Sequence, residues 1–535
     1  MNLSSSLFNS TDFLNNPISN STQYEISLIL PGNKITQAEF KLNKTTGKVI
    51  IEYSDTDKVR FNLNDILSLQ NEEDLEPISI HNSKIAIIEK YGQNIFNYKT
   101  YVIIHYYPKK QINSCSIFNL CKNCSICGTQ KIRDFAKIRL IMKLNDVNDL
   151  KGEISQRFGS MLSLSNILNS KNKKFIFFTY GQFNNQNTHF SCIKQLYNKS
   201  KITIEFINQK EIYQNVINNI NINEVDGILI CDDNNSFVHK IINFFFKRSD
   251  FKKIFEKIPF GFIPSSSNLN LKGGALSKSI LTESKENFSP ETAAFITSLG
   301  GIKYFDLMEI LFPEQNITIY SLISLQWANN ANFYFNLDNP SCSFCCCNLL
   351  CSCLNNNGFR AKIEYNFEIE NEHVNNELES MFGSNELLSN IYKYNINSSN
   401  ISSKPKIEDK YFSYFLCSNL PYINNAMNAS PLSFINNGVF DLITMDINNS
   451  TGYQLYNQIK NYQYSGDYFL DSKKIKSNLK INYEKGNYLK LNPDKNCINS
   501  GLDFYIDGER YKNGKFQLNI IPSFMKVFCG IYTDD

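Results

Sequence analysis

Residues 226–243 read DGILICDDNNSFVHKIIN. An apolar run gives way to five polar residues, Asp232, Asp233, Asn234, Asn235 and Ser236, and then to apolar positions at helical spacing. A polar loop between a buried strand and a helix is a common place to hold phosphate, because the helix N-terminus presents unpaired N–H groups. Such loops ordinarily use glycine, so that backbone N–H groups can press against phosphate oxygens. This one has no glycine after Gly227 and offers two carboxylates instead. Asp232 or Asp233 could accept a proton as a general base, which the amides Asn234 and Asn235 cannot do. The alternative is that both simply end a strand as polar turn residues.

Ten of the fifteen cysteines fall in two clusters. Cys115, Cys121, Cys124 and Cys127 form C-x5-C-x2-C-x2-C, and Cys342, Cys345, Cys346, Cys347, Cys351 and Cys353 crowd CSFCCCNLLCSC. Thiolates at short spacing suit Zn²⁺, although neither cluster has paired C-x2-C halves at a standard separation. For the 342–353 set, a Zn²⁺ site, S-acylation at a membrane-facing loop and unligated thiols all stay open. The five histidines are scattered; His239, at a helix start beside the polar loop, reads as a packing or capping residue more readily than a catalytic one. Phe244–Phe246 in NFFFKR could meet lipid, or fill the core of a helix that flanks a sheet.

A chain of 535 residues with 42% hydrophobic and 13% aromatic content can bury the cores of two to four domains. Its 54 basic and 51 acidic residues leave a net charge of +3, which gives no electrostatic reason to expect nucleic acid and leaves weak attraction to an anionic membrane open. No stretch approaches the roughly 18 apolar residues of a spanning helix. Residues 1–22 lack a basic n-region and an apolar h-region, so they read as a disordered tail and not a signal peptide. The expected location is cytoplasmic, with peripheral membrane contact open.

Three regions follow. Residues 23–170 carry seven short alternating runs, from YEISLILP to FAKIRLIMKL, and then a helical stretch, DLKGEISQRFGSMLSLSNIL, with Leu150, Ile154, Phe158, Met161 and Leu162 as its apolar positions. Seven strands and a helix are the order of a pleckstrin-homology-like barrel, or of another small β domain. Residues 171–312 alternate strand and helix from KKFIFFTY to IPFGFIPSS, which predicts a doubly wound sheet with its crevice beyond the carboxyl ends of the strands. SPETAAFITSLG is a well-marked helix, with Ser289 at the N-cap, Pro290 at N1 and Gly300 at the end. Residues 313–535 return to strands, predicting a β-sandwich lobe with polar or cysteine-rich insertions near 339–357 and 371–410.

Four segments in this order carry a resemblance. DGILI with VHKIIN is similar to the strand, phosphate loop and helix of the diacylglycerol-kinase catalytic fold. YSLISLQWANNANFYF, through Ser324 and Trp327, looks like the substrate-lobe strand of sphingosine kinases. ASPLSFINNGVFDLITM resembles a further segment through Pro431, Gly438, Asp441 and Leu442, and FYIDGERY resembles the family's C-terminal Asp-Gly-Glu. On these the chain resembles the sphingosine kinase and ceramide kinase family, over roughly residues 170–530. That implies transfer of the ATP γ-phosphoryl group, with Mg²⁺, to the hydroxyl of a sphingoid base or ceramide.

The same resemblance assigns residues to a nucleotide site, and shows its loops altered. The first loop retains Thr179 and one displaced glycine, Gly181. In the second the family's catalytic Asp falls on Asn234 or Asn235, leaving Asp233 or Asp232 as displaced bases beside Ser236. In the third, Ser265, Ser266 and Ser267 follow Pro264; an alternative alignment lets Gly273 and Gly274 stand for the motif's end, at a helix start where anions bind readily. Asp507, Gly508 and Glu509 are intact. On the substrate side Ser324 and Trp327 are kept, while Asn332 and Tyr334 stand at the positions that hold the lipid's polar head. With these losses the chain is either a sphingoid-lipid kinase with rebuilt loops or an inactive pseudokinase that binds lipid, nucleotide or a partner. Ceramide kinases also carry a short cysteine cluster in a comparable part of the second lobe.

The cysteine reading is open to a direct measurement. Protein purified without chelator is expected to carry up to one Zn²⁺ per chain by elemental analysis, and the double change Cys346→Ser with Cys351→Ser is expected to lower it. Absence of zinc, or a content unmoved by the double change, removes the metal reading.

Overall fold

The computed structural model describes residues 21–30, 34–54, 57–70, 87, 99–106, 109–113, 129–133, 136–158, 172–179, 188–209, 212–264, 273–281, 289–328, 358–366, 405–425, 427–430, 433–446, 481–499 and 503–529. It divides into two compact units, Met1–Lys171 with Lys199–Lys201, and Asn172–Asn198 with Ile202–Asp535.

The first unit contains β1 (Ser21–Leu30), β2 (Lys34–Asn43), β3 (Lys48–Glu52), β4 (Lys58–Asn62), β5 (Ile66–Gln70), β6 (Lys99–Tyr106), β7 (Lys109–Asn113), β8 (Thr129–Arg133), β9 (Ala136–Lys143) and α1 (Leu144–Phe158). Seven of the strands form one antiparallel sheet in the order β4-β3-β2-β1-β9-β6-β5, and β7 pairs with β8. Alternate positions such as Phe40 and Leu42, or Val102 and Ile104, are buried, as a period of two requires when one face is covered. Val147, Leu150 and Ile154 of α1 are buried at helical spacing. The run KVRFNLNDILSL, which reads as one strand, is two: a 3₁₀ turn at Leu63–Asp65 interrupts it, and the Asp65 carboxylate accepts the Asn62 N–H at 3.1 Å. α1 starts five residues before the helical pattern in the sequence; Met161 and Leu162 lie outside the described residues.

The second unit begins with β10 (Lys173–Phe178), α2 (Thr188–Lys199), β11 (Ile202–Ile207), α3 (Tyr213–Asn219), β12 (Gly227–Cys231), α4 (Asn235–Phe245), α5 (Phe251–Lys257), β13 (Phe260–Ile263), α6 (Ala275–Ile280) and α7 (Pro290–Leu299). The strands are parallel in the order β11-β10-β12-β13. Every residue of β12 and β13 is buried, which explains their unbroken apolar runs. α7 has the ends its sequence demands: the Ser289 hydroxyl accepts the Thr292 N–H at 3.1 Å, Pro290 opens the first turn, and Gly300 closes it at φ 78°.

The chain continues through β14 (Ile302–Phe312), β15 (Ile317–Ser321), β16 (Ser324–Ala328), β17 (Phe359–Tyr365), β18 (Lys406–Ser418), β19 (Phe440–Asp446), β20 (Ile481–Gly486), β21 (Tyr488–Pro493), α8 (Lys495–Asn499), β22 (Phe504–Ile506), β23 (Glu509–Tyr511) and β24 (Phe516–Phe528). β24 pairs in parallel with β13 through Phe260 and Val527, and antiparallel with β14 and β21. The last strand therefore joins the parallel strands to the antiparallel ones in one 15-stranded hydrogen-bonded sheet, a mixed α/β arrangement. β14 pairs antiparallel with β15 and β24 at its side. β18 begins at Lys406, inside the stretch expected to be an insertion as far as residue 410. Among the described residues no helix is long and apolar enough to cross a membrane.

The antiparallel part packs around Trp327 on β16. Its indole is fully buried, with the rings of Phe359, Phe412, Phe415 and Phe504 at 6.0 to 6.2 Å between centroids. Removing such a side chain leaves a cavity the surrounding rings cannot fill. Trp327→Ala is expected to lower the unfolding free energy by about 3–5 kcal/mol in chemical denaturation; a loss below about 1 kcal/mol would contradict this packing.

Candidate functional site

In the parallel strands the chain passes from β10 outward to β11 and then back across to β12, so the topological switch lies between β10 and β12. In open sheets of this kind ligands bind beyond the carboxyl ends of the strands at the switch. Thr179 follows β10 there. It is buried, its N–H donates to the Ile207 carbonyl at 2.9 Å, and its own carbonyl accepts the Tyr213 hydroxyl at 2.6 Å.

Asp232 follows β12 and is completely buried. Its Oδ2 accepts both the N–H and the hydroxyl of Ser277, each at 2.7 Å, and its carbonyl accepts the Gly274 N–H at 2.6 Å. The N-cap of α6 is Gly274, at φ 83° and without a side chain, so a carboxylate from another segment supplies the acceptor that a capping side chain would provide. Burial pushes the Asp232 carboxyl up to about 7 against the lowering effect of the Ser277 bonds. Oδ1 has no hydrogen-bond partner among the described residues. Beside it, a Cβ on Gly273 would stand 2.1 Å from the Asp233 carbonyl carbon and 2.6 Å from the Asp232 oxygen, so only glycine fits. The Gly273 carbonyl accepts the Asn425 N–H at 2.7 Å, tying this knot to the antiparallel strands.

The next residues build the start of α4. Asn234 is its N-cap and accepts the Ser236 N–H at 2.9 Å. Asn235 is buried and donates to the Ile423 carbonyl at 2.8 Å. The Ser236 hydroxyl bonds to Glu509, and Lys240, one turn further, pairs with the same carboxylate at 2.5 Å. Asp233, between the cap and Asp232, is half-buried.

Asp507 stands behind this surface. Oδ1 accepts the Ser321 hydroxyl at 2.7 Å and the N–H groups of Ile323 and Ser324 at 2.9 Å; Oδ2 accepts the Leu322 N–H at 3.0 Å and meets His239 Nδ1 at 3.1 Å. His239 Nε2 in turn meets the Tyr511 hydroxyl at 2.7 Å. Burial, with Glu509 and Asp507 nearby, pushes the Tyr511 phenol up.

The fold thus gathers Thr179, Asp232, Asp233, Asn234, Asn235, Ser236, Gly273, Gly274, Asp507, Gly508 and Glu509 around the crevice and the N-terminus of α4. Ser324 is buried and held by Asp507, and Trp327 lies in the core. Gly181, Ser265, Ser266, Ser267, Asn332, Tyr334 and both cysteine clusters lie outside the described residues. His239, which the sequence marks as a packing or capping residue beside the loop, is buried and meets Asp507 and Tyr511. Ser277, Lys240, Asn425 and Tyr511 join the site without such a mark, and of these only Lys240 has a local signal, its helical spacing from Ser236.

No family model matches the sequence, and no curated protein matches it. Solved structures similar to it include a diacylglycerol kinase from Bacillus anthracis str. Sterne, at 11% identity and a TM-score of 0.42 over 67% of this chain and 97% of that one. A second structure from that bacterium, provisionally described as a diacylglycerol kinase, gives 12%, 0.44, 67% and 96% in the same order.

The buried carboxyl makes stability depend on pH. Because the folded pKa of Asp232, about 7, lies above the ordinary carboxylate value of about 3.9, the folded chain keeps a proton that the unfolded chain has released. Stability from this group therefore falls as pH rises from about 4 to about 7 and is level above that. Asp232→Asn keeps an acceptor for Ser277 and removes the titration, so the variant should gain stability relative to the parent across that window. A difference independent of pH in thermal or denaturant melts would overturn the assignment.

Proposed function

We propose that this chain is a divergent lipid-kinase homologue that binds ATP phosphates in the crevice beyond β10 and β12 and phosphorylates a sphingosine-like base or ceramide. The observation that carries the nucleotide part is the contact at Gly273, where two loops meet at the sheet's switch point so closely that no side chain is admitted. Ser236 and Lys240, on one face of α4, offer a hydroxyl and an ammonium to phosphate, and both are held by the Glu509 carboxylate. The acceptor class rests on the sequence resemblance. Mg²⁺ supplies charge neutralisation at the phosphates in such chemistry. Such an ion is ordinarily held by phosphates and one or two carboxylates. Asp233 is the proposed base, since Asp232 is buried and engaged with Ser277, while Asn234 and Asn235 carry amides. The strand order and closing helix of the first unit support a pleckstrin-homology-like reading of it.

One observation favours the second reading, an inactive nucleotide- or lipid-binding homologue. Of the two positions where the resemblance puts the base, Asn234 is committed to capping α4 and Asn235 is buried and donates to the Ile423 carbonyl. Loss of a general base by itself costs roughly 10²- to 10⁴-fold in rate.

The deciding assay offers labelled ATP, Mg²⁺ and sphingosine or ceramide to the purified chain, with nucleotide binding followed in parallel. Turnover abolished by Asp233→Asn is the expected result. Turnover that survives this change excludes Asp233 as base. Nucleotide binding without turnover establishes the inactive reading, and absence of both rejects the proposal.

A further inference from the structure

Four half-buried rings meet where α4 ends. Phe246 stacks on Tyr320 at 3.6 Å between centroids, and lies 5.2 Å from Phe251 and 5.7 Å from Phe524. The fully buried Phe255 anchors them from below at 4.8 Å from Phe246. Lysines border the cluster. Lys247 lies over the ring of half-buried Phe244 at 5.0 Å, Lys252, Lys253 and Lys257 are exposed on α5, and Lys526, on the strand of Phe524, lies over the exposed Tyr304 at 5.8 Å. The acidic residues here are few. Asp250 is gripped by Arg248 through two bonds of 2.8 Å, and Glu309 bonds to the Tyr320 hydroxyl. That leaves Glu256 against Lys247, Lys252 and Lys253, with Lys257 donating to Asn223 at 2.7 Å.

In a chain whose total charge is only +3, this face concentrates positive charge around aromatic rings. Long lysine stems that lie along rings and end in solvent, beside aromatic groups neither fully buried nor fully exposed, match the headgroup zone of a bilayer. A folded protein partner would need a complementary shape, whereas a layer of lipid phosphates answers the charge with no fixed geometry. We infer that the outer face of α4 and α5, with Tyr320 and Phe524, docks on an anionic phospholipid bilayer. The ammonium groups meet lipid phosphates, and the rings sit at headgroup level. Ser236, Lys240 and Phe244 lie along one face of α4, and Lys247 follows two residues after its end, so the crevice opens about 16 Å away, one length of the helix at 1.5 Å per residue. The inference does not depend on the nucleotide reading.

The test is co-sedimentation of the full chain with phosphatidylcholine vesicles, with and without phosphatidylserine. Retention is expected on the phosphatidylserine vesicles alone and is expected to weaken as salt rises. At roughly fivefold in partition per lysine, the charge reversal Lys247→Glu, Lys252→Glu and Lys253→Glu should lower retention by about 100-fold or more. These exposed changes leave the melting temperature near that of the parent, which separates lost docking from lost folding. A parent chain that ignores phosphatidylserine, or a triple variant retained like the parent, overturns the inference.

Discussion

The carboxylate of Asp507 is the interaction on which the joined lobes depend. It is almost wholly buried and accepts four hydrogen bonds from Ser321–Ser324 while facing His239 of α4. A buried charge is tolerated only when donors surround it, and here most of the donors are backbone N–H groups with no strand partner. The bargain is mutual. Without the carboxylate the turn between β15 and β16 would bury three N–H groups unpaired, and without that turn the carboxylate would be stranded. One side chain thus fixes the end of β16, the tight turn at Asp507–Gly508 and the height of α4 above the sheet.

The same device recurs where the chain must hold irregular backbone. Asp306 accepts the N–H groups of Gly438 and Ser523, both at 2.6 Å, and Asp232 caps α6 from a distant strand. Asp441 takes a different form, pairing with buried Lys485 at 2.6 Å and with the hydroxyls of Ser430 and Tyr483. In each case a buried carboxyl group gathers donors that are far apart in sequence. Burial raises the Asp232 and Asp306 carboxyls, which shows that the hydrogen bonds offset desolvation only in part.

This use of carboxylates bears on the chemistry of the crevice. Loops that cradle phosphate leave their backbone donors open, and glycine lets the ligand approach. Here Asp232 consumes donors at the start of α6, Asn234 consumes one at the start of α4, and Glu509 engages Ser236 and Lys240. Among the described residues these loop ends are bonded to the protein itself. A ligand entering this crevice has to compete with internal acceptors, and the cost of that competition sets its affinity.

Much of the fold was legible in local sequence. The buried parallel strands followed from unbroken apolar runs such as GILIC, the ends of α7 from Ser289, Pro290 and Gly300, and the helix after the polar loop from the spacing of Phe237, Ile241 and Phe245. These are short-range rules, in which a residue's neighbours settle its conformation. The tertiary structure alone decided three further matters. It broke ITIYSLISLQWA into two strands, because the acceptor that pulls residues 322–324 out of register lies some 180 residues later. It made the last strand bridge both kinds of sheet, a pairing that no local pattern encodes. And it gave Asp232, which the sequence offers equally as base or turn residue, a buried capping role, because a carboxylate's task depends on which donors the fold brings to it.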